Sequence, residues 1–356
     1  MHMADALVSP AVAVTMYAAS AAAAGVSLVQ LHKEETAAPE LAKKKLPTMA
    51  VMSALVFAGQ MINYTIPGTG SSGHLCGGML LSAILGPWAG FLSMIVILAI
   101  QALFFADGGL LALGANVWNM AFYGCFVGYF LIYRPLMQGK LLSGKGRTKL
   151  VLASVLGCVV TLQLSALSVV VETSLSGITA LPFGAFAALM QPIHLAIGLV
   201  EGGITAAVLL FVYQTRPELL QCASAGAKNR CSRRATLAIL AAAALVIGGG
   251  LSLLASANPD GLEWSLFGNE EAGYSANMGL DEEAYGAESA AAEKAAAVQE
   301  KTSLLPDYNF DGSDSAAGTS VSGLVGCALV AALAAIISLA GRAARKRSGK
   351  KQASAG

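Results

Sequence analysis

The chain has 356 residues, 56% of them apolar and only 12% charged, with a formal net charge of +1 at pH 7 and a mean hydropathy of +0.65. That balance excludes an ordinary soluble globular domain and fits an integral membrane protein; no nucleic-acid partner is expected. Several apolar runs reach the ~20 residues that a spanning helix needs, and they are rich in Ala, Gly, Leu and Val without strand-like alternation, so a helical bundle is expected rather than a barrel. The six cysteines form no C-x-x-C pair and are read as packing residues.

In chain order the apolar runs fall at about 9–31, 48–64, 75–86, 87–105, 109–133, 149–171, 183–213, 235–255 and 320–341, which gives nine candidate spans. The first has no basic flank before it and no convincing cleavage site, so Met1 is expected to persist. Residues 134–149 carry five Lys/Arg and no acid, 214–234 carry five against one Glu, and six follow Gly341. These segments are expected to face the cytoplasm, which leaves the N-terminus, 65–74 and 256–319 outside and the C-terminus inside. The third run has about twelve residues before Gly86-Pro87, ~18 Å of helix against a ~30 Å hydrocarbon core. The loop before it must therefore dip into the membrane, and it carries His74.

Residues 256–319 contain thirteen Asp/Glu and two Lys in an Ala/Ser/Gly-rich background. They read as an external, partly disordered linker with a short helix across 287–301. The segment divides the chain into a seven-span core, 1–233, and a two-helix hairpin with a basic tail, 234–356. "GKLLSGKG", Gly139 to Gly146, has Gly146 where a phosphate-binding loop needs Ser or Thr, so ATP hydrolysis must come from another subunit.

Chemistry concentrates in "NYTIPGTGSSGHLCGG", Asn63 to Gly78, and in Met1-His2. A free N-terminal amine, a deprotonated His2 amide and the His2 Nδ1 can close adjoining five- and six-membered chelate rings around one metal ion. His74 can fill the remaining in-plane position. Four nitrogens in a plane suit Ni2+ or Cu2+, with Co2+ possible, and not Mg2+ or Ca2+. The competing reading takes "GSSG" at 70–73 with the later His194 as a rhomboid-like intramembrane serine protease, with Ser72 as nucleophile and His194 as base. A stand-alone permease or channel is a third reading, against which the helical H-x-x-x-x-D-H motif of nickel/cobalt permeases is absent.

"MHMADALVSP", "PGTGSSGHLCGG", "LGPWAGFLSM", "ADGGLLALGANVWNM" and "IHLAIGLVEGGITA" resemble, in order, the blocks of the CbiM/NikM family, substrate-binding membrane components of energy-coupling-factor transporters for cobalt and nickel. "NPDGLEWS", "LLPDY" and the last span resemble the small accessory component of such transporters, fused here into one chain. The resemblance implies metal ligands at Met1, His2 and His74, no catalysis of covalent chemistry, and no cofactor beyond the transported ion. It also implies partners in a coupling membrane subunit and separate ATPases, with nickel slightly favoured by the PDGLE form. The acidic Ala-rich insertion between the two accessory elements departs from the pattern.

Other polar groups have two readings each. Asn116 and Asn119 share a helix face and would orient the metal loop or bond between helices; His194 and Glu201 share another and would pair with each other. Asp5 would steady the N-terminal arm, and Ser72 would support the loop. The small-residue surface of Ala18, Ala22 and Gly25 is a candidate dock for the coupling subunit.

Overall fold

The computed structural model describes residues 2–139, 145–177, 182–222, 229–274, 289–310 and 315–353, with the side chains of 40–44 and 337–353 outside that description. Met1 and most of Gly139–Gly146 therefore lie outside the described residues.

Nearly all of the described structure is helix. Helix α1, Pro10–Ala37, starts where Ser9 accepts a hydrogen bond from the Val12 N–H and Pro10 supplies a φ already suited to a first turn. Helix α2, Pro39–Gln60, leads into a small antiparallel hairpin, β1 Tyr64–Ile66 and β2 Ser71–Gly73, paired Tyr64 to Gly73. Then come α3 Gly78–Leu85, α4 Pro87–Phe104, α5 Leu113–Gln138, α6 Gly146–Ser176 and α7 Phe183–Thr215. The middle of α5, Trp118–Tyr133, widens into π-type turns. Gly86, with a φ of 85°, makes the break between α3 and α4 that the Gly86-Pro87 pair predicts.

Every residue of α3 is buried. Such a short helix can lie at the centre only if its neighbours approach closely, and α5 does so: a Cβ on Gly78 would stand 3.1 Å from the Gly124 Cα, and one on Gly124 would stand 2.8 Å from the Gly78 Cα. Helices α6 and α7 form an extended pair alongside.

The later part of the chain holds α8 Arg233–Gly249, α9 Gly261–Phe267, α10 Ala290–Thr302 and α11 Ala316–Ala353. Helices α8 and α11 pack on each other and both pack on α2. Helix α10 is the short helix expected across 287–301.

Among the described residues, six helices are long and apolar enough to cross a membrane: α1, α4, α5, α6, α7 and residues 316–336 of α11. The protein is a multi-pass, all-α membrane protein, as composition required. The other three expected spans coincide with helices outside these six: α2, Pro39–Gln60, α3, which has 8 residues, and α8, which has 17.

One expectation needs correction. The described parts of 256–319 are not a solvated linker, because they bond to the loops of the preceding bundle. The Ser256 N–H donates to the Asn63 carbonyl at 2.7 Å, Ser72 N–H to Pro259 at 2.8 Å, and Asp307 N–H to Phe105 at 2.8 Å. Gln299 Nε2 donates to the carbonyls of Ala102 and Gly108 at 2.9 and 2.7 Å. Low complexity hid these contacts, since they run through backbone groups that composition cannot reveal.

Candidate functional site

The site forms where the chain's first residues meet the His74 loop. His74 follows β2 and precedes α3, and it is 7% exposed. Three elements hold its loop. Gln60 at the end of α2 donates to the Cys76 carbonyl at 2.8 Å, Tyr64 donates to the Ile197 carbonyl at 3.2 Å, and the Glu201 carboxylate accepts the N–H groups of Cys76 and Gly77, both at 2.9 Å. Gly77 has a φ of 81°, a conformation that a residue with a side chain rarely adopts.

The N-terminal arm is fixed from the other side. Asn116 accepts from the Met3 N–H at 2.7 Å and donates to the Met3 carbonyl at 3.1 Å, while the Gly109 N–H donates to the same carbonyl at 2.9 Å. The Met3 side chain is wholly buried. Asp5 accepts the Ala112 N–H at 3.0 Å, so it steadies the arm.

These restraints lay the His2 ring on the His74 ring, with centroids 5.2 Å apart and planes 16° from parallel. His2 Nδ1 lies 3.0 Å from Asp107 Oδ1 and its Nε2 lies 3.3 Å from Gln101 Oε1. Gln101 is oriented by donating its amide to Tyr308 Oη at 3.2 Å, and the Tyr308 hydroxyl donates to the second Asp107 oxygen. His74 Nδ1 lies 3.0 Å from the Leu75 carbonyl.

Burial lowers the His2 pKa below its ordinary value, with Asp107 opposing. Burial, then nearby positive charge, lowers His74 to about 3. Both rings are thus kept neutral, as metal ligands must be. Burial would raise the Asp260 carboxyl, but nearby positive charge and the hydrogen bond it accepts from the Glu263 N–H hold it below the usual carboxylate range. Among the described residues, no group of three or more His, Cys, Asp or Glu side chains converges as a metal cage. A metal bound here would draw part of its donor set from groups other than these side chains.

The other expected site residues are placed as follows. Asn119 donates to Glu172 at 2.8 Å and reaches the Met3 sulfur at 3.6 Å, so it supports the arm and bonds between helices, not the His74 loop. The hydroxyl of Ser72 donates to the Asn258 carbonyl at 2.8 Å, and His194 Nδ1 donates to the Met190 carbonyl at 2.8 Å. No hydrogen bond joins Ser72 to His194, which removes the geometry of a serine protease. His194 does not pair with Glu201 either: the two lie seven residues apart on α7, about 10 Å along the helix, and the Glu201 oxygens accept from the loop amides. Ala18, Ala22 and Gly25 are exposed along α1.

Sequence reasoning missed Gln101, Asp107, Asp260 and Tyr308. The available signal was polar residues at the end of an apolar run, in "IQALFFADGG", and at loop turns in "NPDGLE" and "LLPDY".

Residues 2–219 match the family described as the cobalt uptake substrate-specific transmembrane region, and residues 234–343 match the PDGLE domain. A putative fused nickel transport protein of Archaeoglobus fulgidus is 33% identical over 94% of this chain and 96% of its own length. A fused nickel transport protein of Rhodobacter capsulatus is 31% identical over 76% of each chain. A crystal structure of a transition metal transporter is 36% identical, covers 60% of this chain and 92% of its own, and superposes with a TM-score of 0.50.

Proposed function

Because the chain belongs to the CbiM family of cobalt-uptake substrate-specific transmembrane regions, we propose that it captures Ni2+ or Co2+ outside the cell and delivers it for ATP-driven import. The ion is the cargo. The ligands are the Met1 amine, the His2 amide nitrogen, His2 Nδ1 and one nitrogen of His74, arranged in a plane. A coupling membrane subunit and separate cytoplasmic ATPases drive release, and the exposed Ala18–Gly25 face of α1 is the dock for the coupling subunit. Residues 1–233 act as the capture unit and 234–356 as an accessory hairpin, with the N-terminus outside and the C-terminus in the cytoplasm.

The observation that carries this reading is the packing of His2 on His74, residues 72 positions apart that the arm and the loop bring into ring contact. Four nitrogens also account for a metal site without a cage of side chains. Nickel is favoured over cobalt because the relative aligned over 94% of this chain, and a second over 76%, are named fused nickel transport proteins.

The test adds one alanine before Met1, which preserves every side chain but destroys the chelate rings. Native and extended forms, with their termini verified by mass spectrometry, are loaded with Ni2+ or Co2+ and their bound metal is measured. The extended form is expected to lose high-affinity binding. Full occupancy in that form would refute amine ligation.

A further inference from the structure

The Glu201 carboxylate is 1% exposed, and both of its oxygens are used by two consecutive loop amides, Cys76 and Gly77. Burying a carboxyl group in this way is costly unless its bonds serve something. What they serve follows from peptide geometry. The Cys76 N–H and the Leu75 C=O belong to one planar trans peptide, so they point in opposite directions. By drawing the N–H toward itself, Glu201 aims the Leu75 carbonyl the other way. That carbonyl lies 3.0 Å from His74 Nδ1. A carbonyl oxygen only accepts, so Nδ1 must carry the proton and Nε2 must carry the lone pair. The hydrogen bond on the amide side also polarises the peptide and makes its carbonyl a better acceptor.

The geometry points to Glu201 as a positioning residue for metal capture: from α7, through one peptide unit, it sets the tautomer and direction of His74 so that Nε2 faces the metal. This rests on the metal-capture reading above and adds how the loop ligand is kept ready. Glu201 itself does not touch the metal. Metal-ligating histidines are commonly oriented by a partner on their other nitrogen, and loss of such a partner costs 10–100-fold in affinity. Here the partner is a backbone carbonyl, and a buried carboxylate one step further back holds it in place.

The chain contains only four histidines, so 15N-histidine labelling resolves the ring nitrogens of each. In the metal-free native protein, His74 is expected as the Nδ1–H form. Glu201→Gln leaves one amide without an acceptor, and it is expected to raise the Nε2–H population of His74 and to weaken Ni2+ binding about 10–100-fold. Glu201→Asp, which keeps the carboxyl group and reaches one amide, is expected to fall between. A native His74 in the Nε2–H form overturns the inference without any variant. So does a Glu201→Gln protein that loses affinity with its tautomer unchanged, since that is a merely structural effect.

If the variants do not fold, amide hydrogen exchange of Cys76 and Gly77 in the native chain decides: slow exchange is expected, and rapid exchange overturns it. His74→Ala is measured in parallel with Ni2+ alone. Undiminished binding there defeats the metal site itself, whereas lost binding there with an unaffected Glu201→Gln defeats only the role of Glu201.

Discussion

His2 Nδ1 lies 3.0 Å from Asp107 Oδ1, in contact with a carboxylate that Tyr308 holds by its other oxygen. An imidazole nitrogen either donates a proton to the carboxylate or gives its lone pair to a metal, so the proposed chelate requires Nδ1 to exchange one for the other. The nearby Gln101 Oε1, 3.3 Å from Nε2, can accept the single proton that then remains on the ring. Asp107 stays as a negative charge beside the cation. Asp107→Asn keeps the shape and removes that charge, and Ni2+ affinity is expected to fall on the order of 10–100-fold, as measured by calorimetry. Affinity equal to or above that of the native protein would show that Asp107 only competes for the ring.

The pH dependence is set mainly by the amine and the amide. His74, lowered to about 3 by burial, stays neutral down to well below pH 5, and burial moves His2 in the same direction. The amine, with an ordinary pKa of about 7.7–8.0, must lose a proton below that value, and the amide must lose one at every pH. The binding constant is therefore expected to rise about tenfold per pH unit above pH 8 and about a hundredfold per unit between 6 and 7. Proton release counted in buffers of different ionisation enthalpy checks this. A pH-independent affinity would point to carboxylate ligands.

Asn116→Ala removes both side-chain bonds to Met3. The Met3 carbonyl keeps Gly109, but its N–H loses the acceptor at 2.7 Å. Leaving that buried donor unpaired costs about 1–3 kcal/mol. The cost falls on the arm that carries His2, so metal affinity is expected to drop about tenfold or more, since 1.4 kcal/mol corresponds to a factor of ten. Isothermal titration with a melting curve separates loss of the arm from loss of the bundle.

Gly323→Leu should open the hairpin of α8 and α11. A Cβ at Gly323 would lie 1.9 Å from the Gly248 carbonyl oxygen, so the two backbones must separate. With the other native cysteines replaced, cross-linking of Cys327 to a cysteine at Ala244 reports the separation, since Cys327 Sγ lies 3.9 Å from the Ala244 carbonyl. The native yield is expected to be high and the variant yield low.

Ser72→Ala removes a donor to the Asn258 carbonyl and leaves the two histidines untouched. Metal binding is expected to change less than threefold, while His74→Ala abolishes it. Measuring both in one preparation tests the ranking, and the reverse order would sink the assignment of His74.

The apolar runs alone determined that this chain is a helical membrane protein, because a backbone in lipid must satisfy its own hydrogen bonds and a long greasy segment has few ways to do so. The Gly86-Pro87 break, the short α3 and the nitrogen-donor chemistry of His2 and His74 were also legible, since each rests on local chemistry. Tertiary structure alone decided what surrounds them. Glu201 serves the loop, accepting from the amides of Cys76 and Gly77, 125 and 124 residues away in sequence, and His194 two turns along the same helix turns to the Met190 carbonyl instead. Asp107 and Gln101 meet His2 across about a hundred residues, and Tyr308 braces both where residues 305–308 bond to the end of α4. Hydropathy records which residues leave water. It carries no information about which buried polar group finds which partner, since that depends on directions and distances that only the assembled helices fix.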